Sequence, residues 1–537
     1  MINPRTVAVA LLVATWLTCG SAPALFAQKS DDGMTLEELK KALEKQKAEQ
    51  QDAEKPASQP AVAETFDRAN VEQFVAHLDR RIAQIPSNTR APGLNVADLH
   101  KLVDGLFVDL DDYLRRFPND PNRARMLHQK ARLIAMNQSR FVGSQSAALQ
   151  KKLGRNLTVE ELLALRRTYL EQALSSLAEA ETLTDDPAVL VELEKVKGQV
   201  FYFGDYDDQA IAQYEKILRD FPDDPDAAET QTALVGAYEK ARQFEGGVAA
   251  CDAFLDRYMK SDFTPHIINY KGKLLIQLGR AADAVAHFEK YRTLMEQAGA
   301  GQPVEALGGH RYSAEVRASF VTYLDRLDFQ IGFCKYSLGD VVGAKAAFQN
   351  NLKLLQAKAE ANTIDQVGQV FMSRSTRLLD TLEKLQGKPA PAFDLGENWL
   401  NGRLDLEAEK GNLICLFFNP YENRRSEEFA QAIQAFYRDR FADGFRAAWI
   451  ALPKGRKNWE VQRQKLVADV QKLGVTYPTG LAVTEVWPPE VYAAYNVAPG
   501  TPTIVLIDRA GNVAWYKMDP TFRDFEIAGK VAERLLH

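Results

Sequence analysis

The chain has 537 residues, too many for one hydrophobic core, so two or more domains are expected. Apolar residues make up 46% and charged residues 26%, the balance of ordinary globular protein rather than of a membrane bundle or a disordered chain. A formal net charge of −6 leaves no electrostatic footprint for nucleic acid.

Residues 1–27 read as an export signal, which places the protein in the periplasm or cell envelope. Arg5 supplies the positive start, residues 7–18 an apolar run too short for a comfortable membrane span, and Ala22-Pro23-Ala24 or Leu25-Phe26-Ala27 the cleavage site. Retention as an uncleaved anchor is the alternative. Residues 28–63 carry mixed-sign charge and few aromatics, so they cannot bury a core and form a linker.

From 64 to 385 the apolar period is helical, and the chain repeats itself. Gly272-x6-Gly279-x4-Ala284-x3-Phe288 recurs with the same spacing as Gly332-x6-Gly339-x4-Ala344-x3-Phe348. Gly204, Ala210 and Tyr214 form a related unit, and Gly247, Cys251 and Phe254 fill the same slots between them. Small residues let paired helices approach while the aromatic fills the gap. This pattern resembles tetratricopeptide repeats, which implies an all-α solenoid with a concave binding surface. Phe117-Pro118-Asn119-Asp120-Pro121 and Phe221-Pro222-Asp223-Asp224-Pro225 read as equivalent turns between helices. Residues 297–311, with four glycines, read as an insertion that is either a binding loop or a plain connection.

The last stretch changes period. Residues 413–418 are a short apolar run suited to a strand covered on both faces, followed by a helix expected over 426–441 with Ser426 as its cap. Around it stand Gly387-Lys388-Pro389-Ala390-Pro391, then Gly500-Thr501-Pro502-Thr503 before a strand ending in Ile507-Asp508, then Ala510-Gly511-Asn512. Over residues 387–537 this order resembles the redoxin branch of the thioredoxin superfamily, the alkyl hydroperoxide reductase/thiol-specific antioxidant proteins and the exported thiol-disulfide oxidoreductases. The resemblance implies an α/β thioredoxin-like fold in residues 386–537, expected to fold alone.

It also implies a thiolate at the strand-to-helix turn, and the residues there are different. Tyr421-Glu422-Asn423-Arg424-Arg425 aligns with the family's Trp-Cys-x-x-Cys, so Glu422 and Arg425 stand in the two cysteine positions. Against the peroxiredoxin pattern, Pro420 is followed by Arg424 and Glu427 where Thr and Cys belong. Neither carboxylate nor guanidinium replaces a thiolate nucleophile. Of the four cysteines, Cys19 lies in the signal, and Cys251, Cys334 and Cys415 form no Cys-x-x-Cys pair. Cys251 and Cys334 are either bonded to each other or packed as thiols. The seven histidines show no metal-ligand spacing, and no cofactor is implied.

Two binding features remain. Arg424 and Arg425, with Lys454, Arg456 and Lys457 after the next strand, would meet at one edge of a parallel sheet, as an anion site or as solvated loop charge. Thr501-Pro502, which the family keeps cis beside the active turn, offers a backbone edge to an extended peptide. The combined reading is an exported scaffold for a protein or peptide partner, redox-inactive. The alternatives are a thiol-disulfide oxidoreductase or peroxide-handling enzyme, and a small-anion sensor at the Arg424 and Lys454 edge.

Overall fold

The computed structural model describes residues 67–85, 96–420, 424–452, 459–483, 489–497, 501–518 and 522–537. The expected signal and linker lie outside the described residues. The chain divides into two compact units, Met1–Ala250 and Cys251–His537.

The first unit is helical: α1 (Val71–Gln84), α2 (Val96–Arg116), α3 (Arg123–Leu153), α4 (Val159–Glu181), α5 (Pro187–Phe203), α6 (Asp207–Asp220) and α7 (Ala227–Lys240). Local chemistry sets several starts. Thr158 and Glu161 form a reciprocal capping box on α4, and Asp186 caps α5 with Pro187 in its first turn. Both expected Phe-Pro turns are present, ending α2 at Arg116 and α6 at Asp220. At the first, Tyr113 donates to Asp120 at 2.5 Å, tying the turn to the buried ring. The core gathers Phe74, Leu110, Tyr113, Met126 and Leu193.

Helix α8 (Phe244–Arg257) spans the division. The second unit continues with α9 (Thr264–Gln277), α10 (Ala281–Gly299), α11 (Ala314–Ser337), α12 (Val341–Glu360) and α13 (Gln366–Lys384), each packed on the next. The repeated glycine and aromatic meet as the spacing implied. A Cβ on Gly272 would lie 2.0 Å from the Phe288 ring, and one on Gly332 would lie 2.8 Å from Phe348. Only glycine lets these helix pairs close with the ring between them. The anchors Ala284 and Ala344 are fully buried. Residues 297–311 are compact: α10 runs to Gly299, then a 3-10 turn at Glu305–Leu307 is closed by a bridge between Val304 and His310. Gly301, Gly308 and Gly309 supply the left-handed backbone that this fold-back needs.

The sheet region comprises β1 (Trp399–Leu400), β2 (Leu413–Pro420), α14 (Arg424–Arg440), β3 (Phe445–Leu452), α15 (Trp459–Lys472), β4 (Thr479–Leu481), α16 (Glu490–Ala494), β5 (Thr503–Ile507), β6 (Val513–Met518) and α17 (Phe522–Leu536). Strand order is β1-β4-β3-β2-β5-β6. Strands β2, β3 and β4 are parallel, while β5 runs antiparallel to β2 and β6 antiparallel to β5. A parallel βαβ core followed by an antiparallel hairpin and a final helix is the thioredoxin-like layout expected from the sequence. Strand β2 is central and its residues 413–419 are all buried, which accounts for the unbroken apolar run.

Two expectations shift. Strand β2 runs two residues beyond the apolar run, because Asn419 and Pro420 pair with Ala451 and Leu452. Helix α14 starts at Arg424 rather than at Ser426, so both arginines belong to its first turn. The division between compact units falls after Ala250. One apolar cluster runs from Phe333, Tyr336, Phe348, Leu378 and Leu382 into Leu413, Trp449, Ile504 and Trp515. Polar ties reinforce it: Tyr336 donates to Gln386 Oε1 at 2.6 Å, and Gln386 Nε2 donates to the Ala514 carbonyl at 2.7 Å. Among the described residues, no helix is long and apolar enough to cross a membrane.

Candidate functional site

Strands β2 and β3 end side by side, with Pro420 opposite Leu452. Both strands therefore reach the same edge of the sheet, where ligands of open α/β sheets usually sit. Beneath this edge the packing is aromatic. Phe418 lies 5.2 Å from the Tyr492 ring and 5.3 Å from Tyr495, and Tyr492 donates to the Ile450 carbonyl at 3.0 Å. Tyr421, Glu422 and Asn423 of the degenerate turn lie outside the described residues, as do Lys454, Arg456 and Lys457. Of the expected anion-binding set, the structure places only the backbone of Arg424 and Arg425, at the start of α14.

The cysteines have definite places. Cys251, Cys334 and Cys415 are all buried thiols, so Cys251 and Cys334 are not joined to each other. Cys415 sits in the middle of β2, opposite Ala447 and Leu506, and faces an apolar cavity of about 270 Å³ with Ile433, Phe436 and Ala528. Burial pushes its thiol up to about 12. Burial does the same to Cys334, with the charge of Lys517 opposing it only in part. Thiols held in that range carry almost no thiolate at neutral pH and are poor nucleophiles.

Thr501 and Pro502 line a second cavity, of about 670 Å³. Its opposite wall is α13, which presents Gln366, Gln369, Val370, Ser373 and Arg377 at helical spacing on one face. Phe329 and Phe333 of α11 form the apolar end, and Lys517 and Met518 of β6 complete the floor. Lys517 Nζ lies 3.3 Å from the centre of the Phe333 ring, and the Arg374 guanidinium lies 5.7 Å from that of Phe371. The described lining residues include three cations, Arg374, Arg377 and Lys517, and no Asp or Glu.

The two walls are tied together. Asn496, in a left-handed backbone conformation, donates through Nδ2 to Thr381 Oγ1 at 2.8 Å and to the Arg377 carbonyl at 3.3 Å. The Asn496 carbonyl in turn accepts from the Tyr516 hydroxyl at 3.0 Å. The sequence pointed to Thr501 and Pro502 but not to α13, because the repeat pattern had assigned that helix to a separate domain. Among the described residues, no three His, Cys, Asp or Glu side chains gather in a way that could hold a metal ion.

No protein-family model matches the chain, and no curated protein matches it. Among solved structures, the chain is similar to a thiol:disulfide interchange protein of the thioredoxin family from Chlorobium tepidum, at 18% identity over 28% of this chain and 99% of that one, with a TM-score of 0.23. It is similar to the thioredoxin domain of a thiol-disulfide oxidoreductase from Bacteroides vulgatus, at 17% identity over 28% and 98%, with a TM-score of 0.23. A thiol-disulfide isomerase from Corynebacterium glutamicum gives 21% identity over 27% and 96%, with a TM-score of 0.23.

Proposed function

We propose that this chain is an exported binding protein: a tetratricopeptide-like helical array whose thioredoxin-like domain, of redoxin type, is used for recognition rather than thiol chemistry. The observation that carries the redox part is the placement of the cysteines. The turn at 421–425 holds none, and every cysteine of the described residues is buried in a core. Fold does not bring activity without its site. Successive helix pairs closed by a glycine and an aromatic support the repeat reading, and such arrays present extended surfaces to partners. The apolar run at 7–18 and the cleavage residues at 22–27 support export.

The test is direct. Purified protein carrying Cys19→Ser is expected to show no catalysis of insulin reduction by dithiothreitol and no thiol-dependent peroxide consumption. A soluble thiol reagent is expected to label Cys251, Cys334 and Cys415 only after unfolding. Turnover abolished by Cys415→Ser would replace this reading with that of an oxidoreductase using a displaced nucleophile.

A further inference from the structure

We infer that the cavity between α14 and α17 binds a small neutral hydrocarbon-like molecule, up to the size of a bicyclic aromatic. The assignment holds whether or not the degenerate turn is redox-active. An apolar cavity of about 150 Å³ stays dry and admits benzene. This one, at about 270 Å³, has room for two fused rings.

Floor and mouth are distinct. Cys415 on β2, Phe445 on β3, and Ile504 and Leu506 on β5 form the floor, each at most 5% exposed. Ala432 and Phe436 of α14 and Gly529 of α17 stand at the mouth, each partly exposed. Phe436 and Phe445 meet edge to face with ring centres 4.7 Å apart, which makes one wall aromatic. Strands β2 and β5 are interior strands of the sheet, so their backbone polar groups are taken up by their neighbours. Among the described lining residues, the Cys415 sulfur is the one polar side-chain atom, and its thiol, pushed up by burial, stays uncharged at neutral pH. A buried water needs roughly two to four polar partners, and this lining does not supply them. An ion or a strongly hydrogen-bonding guest would give up its water without compensation. A neutral apolar guest gives up nothing of that kind.

The mouth is held open by a glycine that the fold does not require. Gly529 lies within α17 in ordinary helical backbone, where glycine is a poor helix former. A Cβ there would meet only the Phe436 ring, at 3.8 Å, an ordinary contact. Gly272 and Gly332 differ, because a ring already fills the place of their missing Cβ. A larger side chain at 529 would therefore occupy the opening without displacing its neighbours. Left empty, the cavity forfeits dispersion contacts along its walls, and an apolar guest restores them.

Equilibrium dialysis of the full chain tests this with two probes of the same shape, naphthalene and quinoxaline, the second carrying two ring nitrogens that accept hydrogen bonds. Naphthalene is expected to bind saturably, one molecule per chain, and quinoxaline at least about tenfold more weakly, the scale of an acceptor left without its donor. Gly529→Leu fills the cavity from its mouth and Cys415→Met from its floor, and each is expected to abolish naphthalene binding. Circular dichroism is expected to show both variants folded, with the thermal midpoint of Gly529→Leu no lower than that of the parent, since leucine is the better helix former. Absence of saturable naphthalene binding, equal binding of quinoxaline, or naphthalene binding unchanged by Gly529→Leu in folded protein would each overturn the assignment.

Discussion

Tyr336 on α11 and Trp515 on β6 lie with their rings 3° from parallel and their centroids 6.4 Å apart. Both are about 2% exposed, so each is the other's shield from water. The aromatic face of the helical part and that of the sheet are thus one contact, within the unit Cys251–His537.

A fragment of residues 386–537 loses Tyr336, Phe348, Leu378 and Leu382 from this shared cluster and uncovers Trp515. It is expected to give a weak, non-cooperative thermal transition by circular dichroism. Residues 251–537 are expected to unfold in one cooperative step. A fully cooperative 386–537 fragment would show that the helical cover is dispensable.

The glycine and aromatic pairs give a graded pair of substitutions. Gly272→Ala puts a methyl 2.0 Å from Phe288, in a gap the buried ring already fills, while Gly332→Ala meets Phe348 at 2.8 Å. Overpacking of this kind costs about 1–3 kcal/mol, so Gly272→Ala is expected at or above the top of that range and Gly332→Ala below it. Urea denaturation measures the order, and Phe288→Leu is expected to restore part of the loss in the Gly272→Ala background.

His287 provides a pH dependence. Its Nε2 lies 2.8 Å from the Ile268 carbonyl and donates to it as the neutral ring. Burial pushes the imidazole down to about 4, below its unfolded value of about 6.5. The unfolded chain therefore binds the extra proton first, and the stability present above pH 6.5 is lost as pH falls through 4. The full effect of one such group is on the order of 3 kcal/mol. His287→Gln keeps a donor and removes the titration, so its chemical stability is expected to fall less steeply than that of the parent between pH 6.5 and 4. His266, also pushed down to about 4 by burial, keeps a residual slope in the variant.

The choice of glutamine comes from the chain itself. Gln213 and His287 each stand three residues after an anchor alanine and donate to a carbonyl 19 residues upstream, those of Glu194 and Ile268. This repeated polar slot was not legible in the sequence, because Gln and His share no class and only their geometry is alike. The glycine and aromatic spacing was legible, since steric fit restricts those positions to one or two residue types. Strand β2 was readable over 413–418 from its apolar run, whereas its last two residues were not. Asn419 and Pro420 have poor strand propensity and are strand only because β3 runs alongside them. The 670 Å³ cavity was illegible for a different reason: its walls, from Phe329 to Met518, are far apart in the chain, and no local pattern announces their meeting.

The hydrogen bond from Gln386 to the Ala514 carbonyl spans 128 residues. Ribosomes extend chains at roughly 5–20 residues per second, which leaves on the order of ten seconds between the appearance of one partner and of the other. Through that interval the apolar side of α11 and α13 has been made but its cover has not. Nascent protein therefore passes through a stage in which the sheet residues that pack on Tyr336, Leu378 and Leu382 have not yet been made.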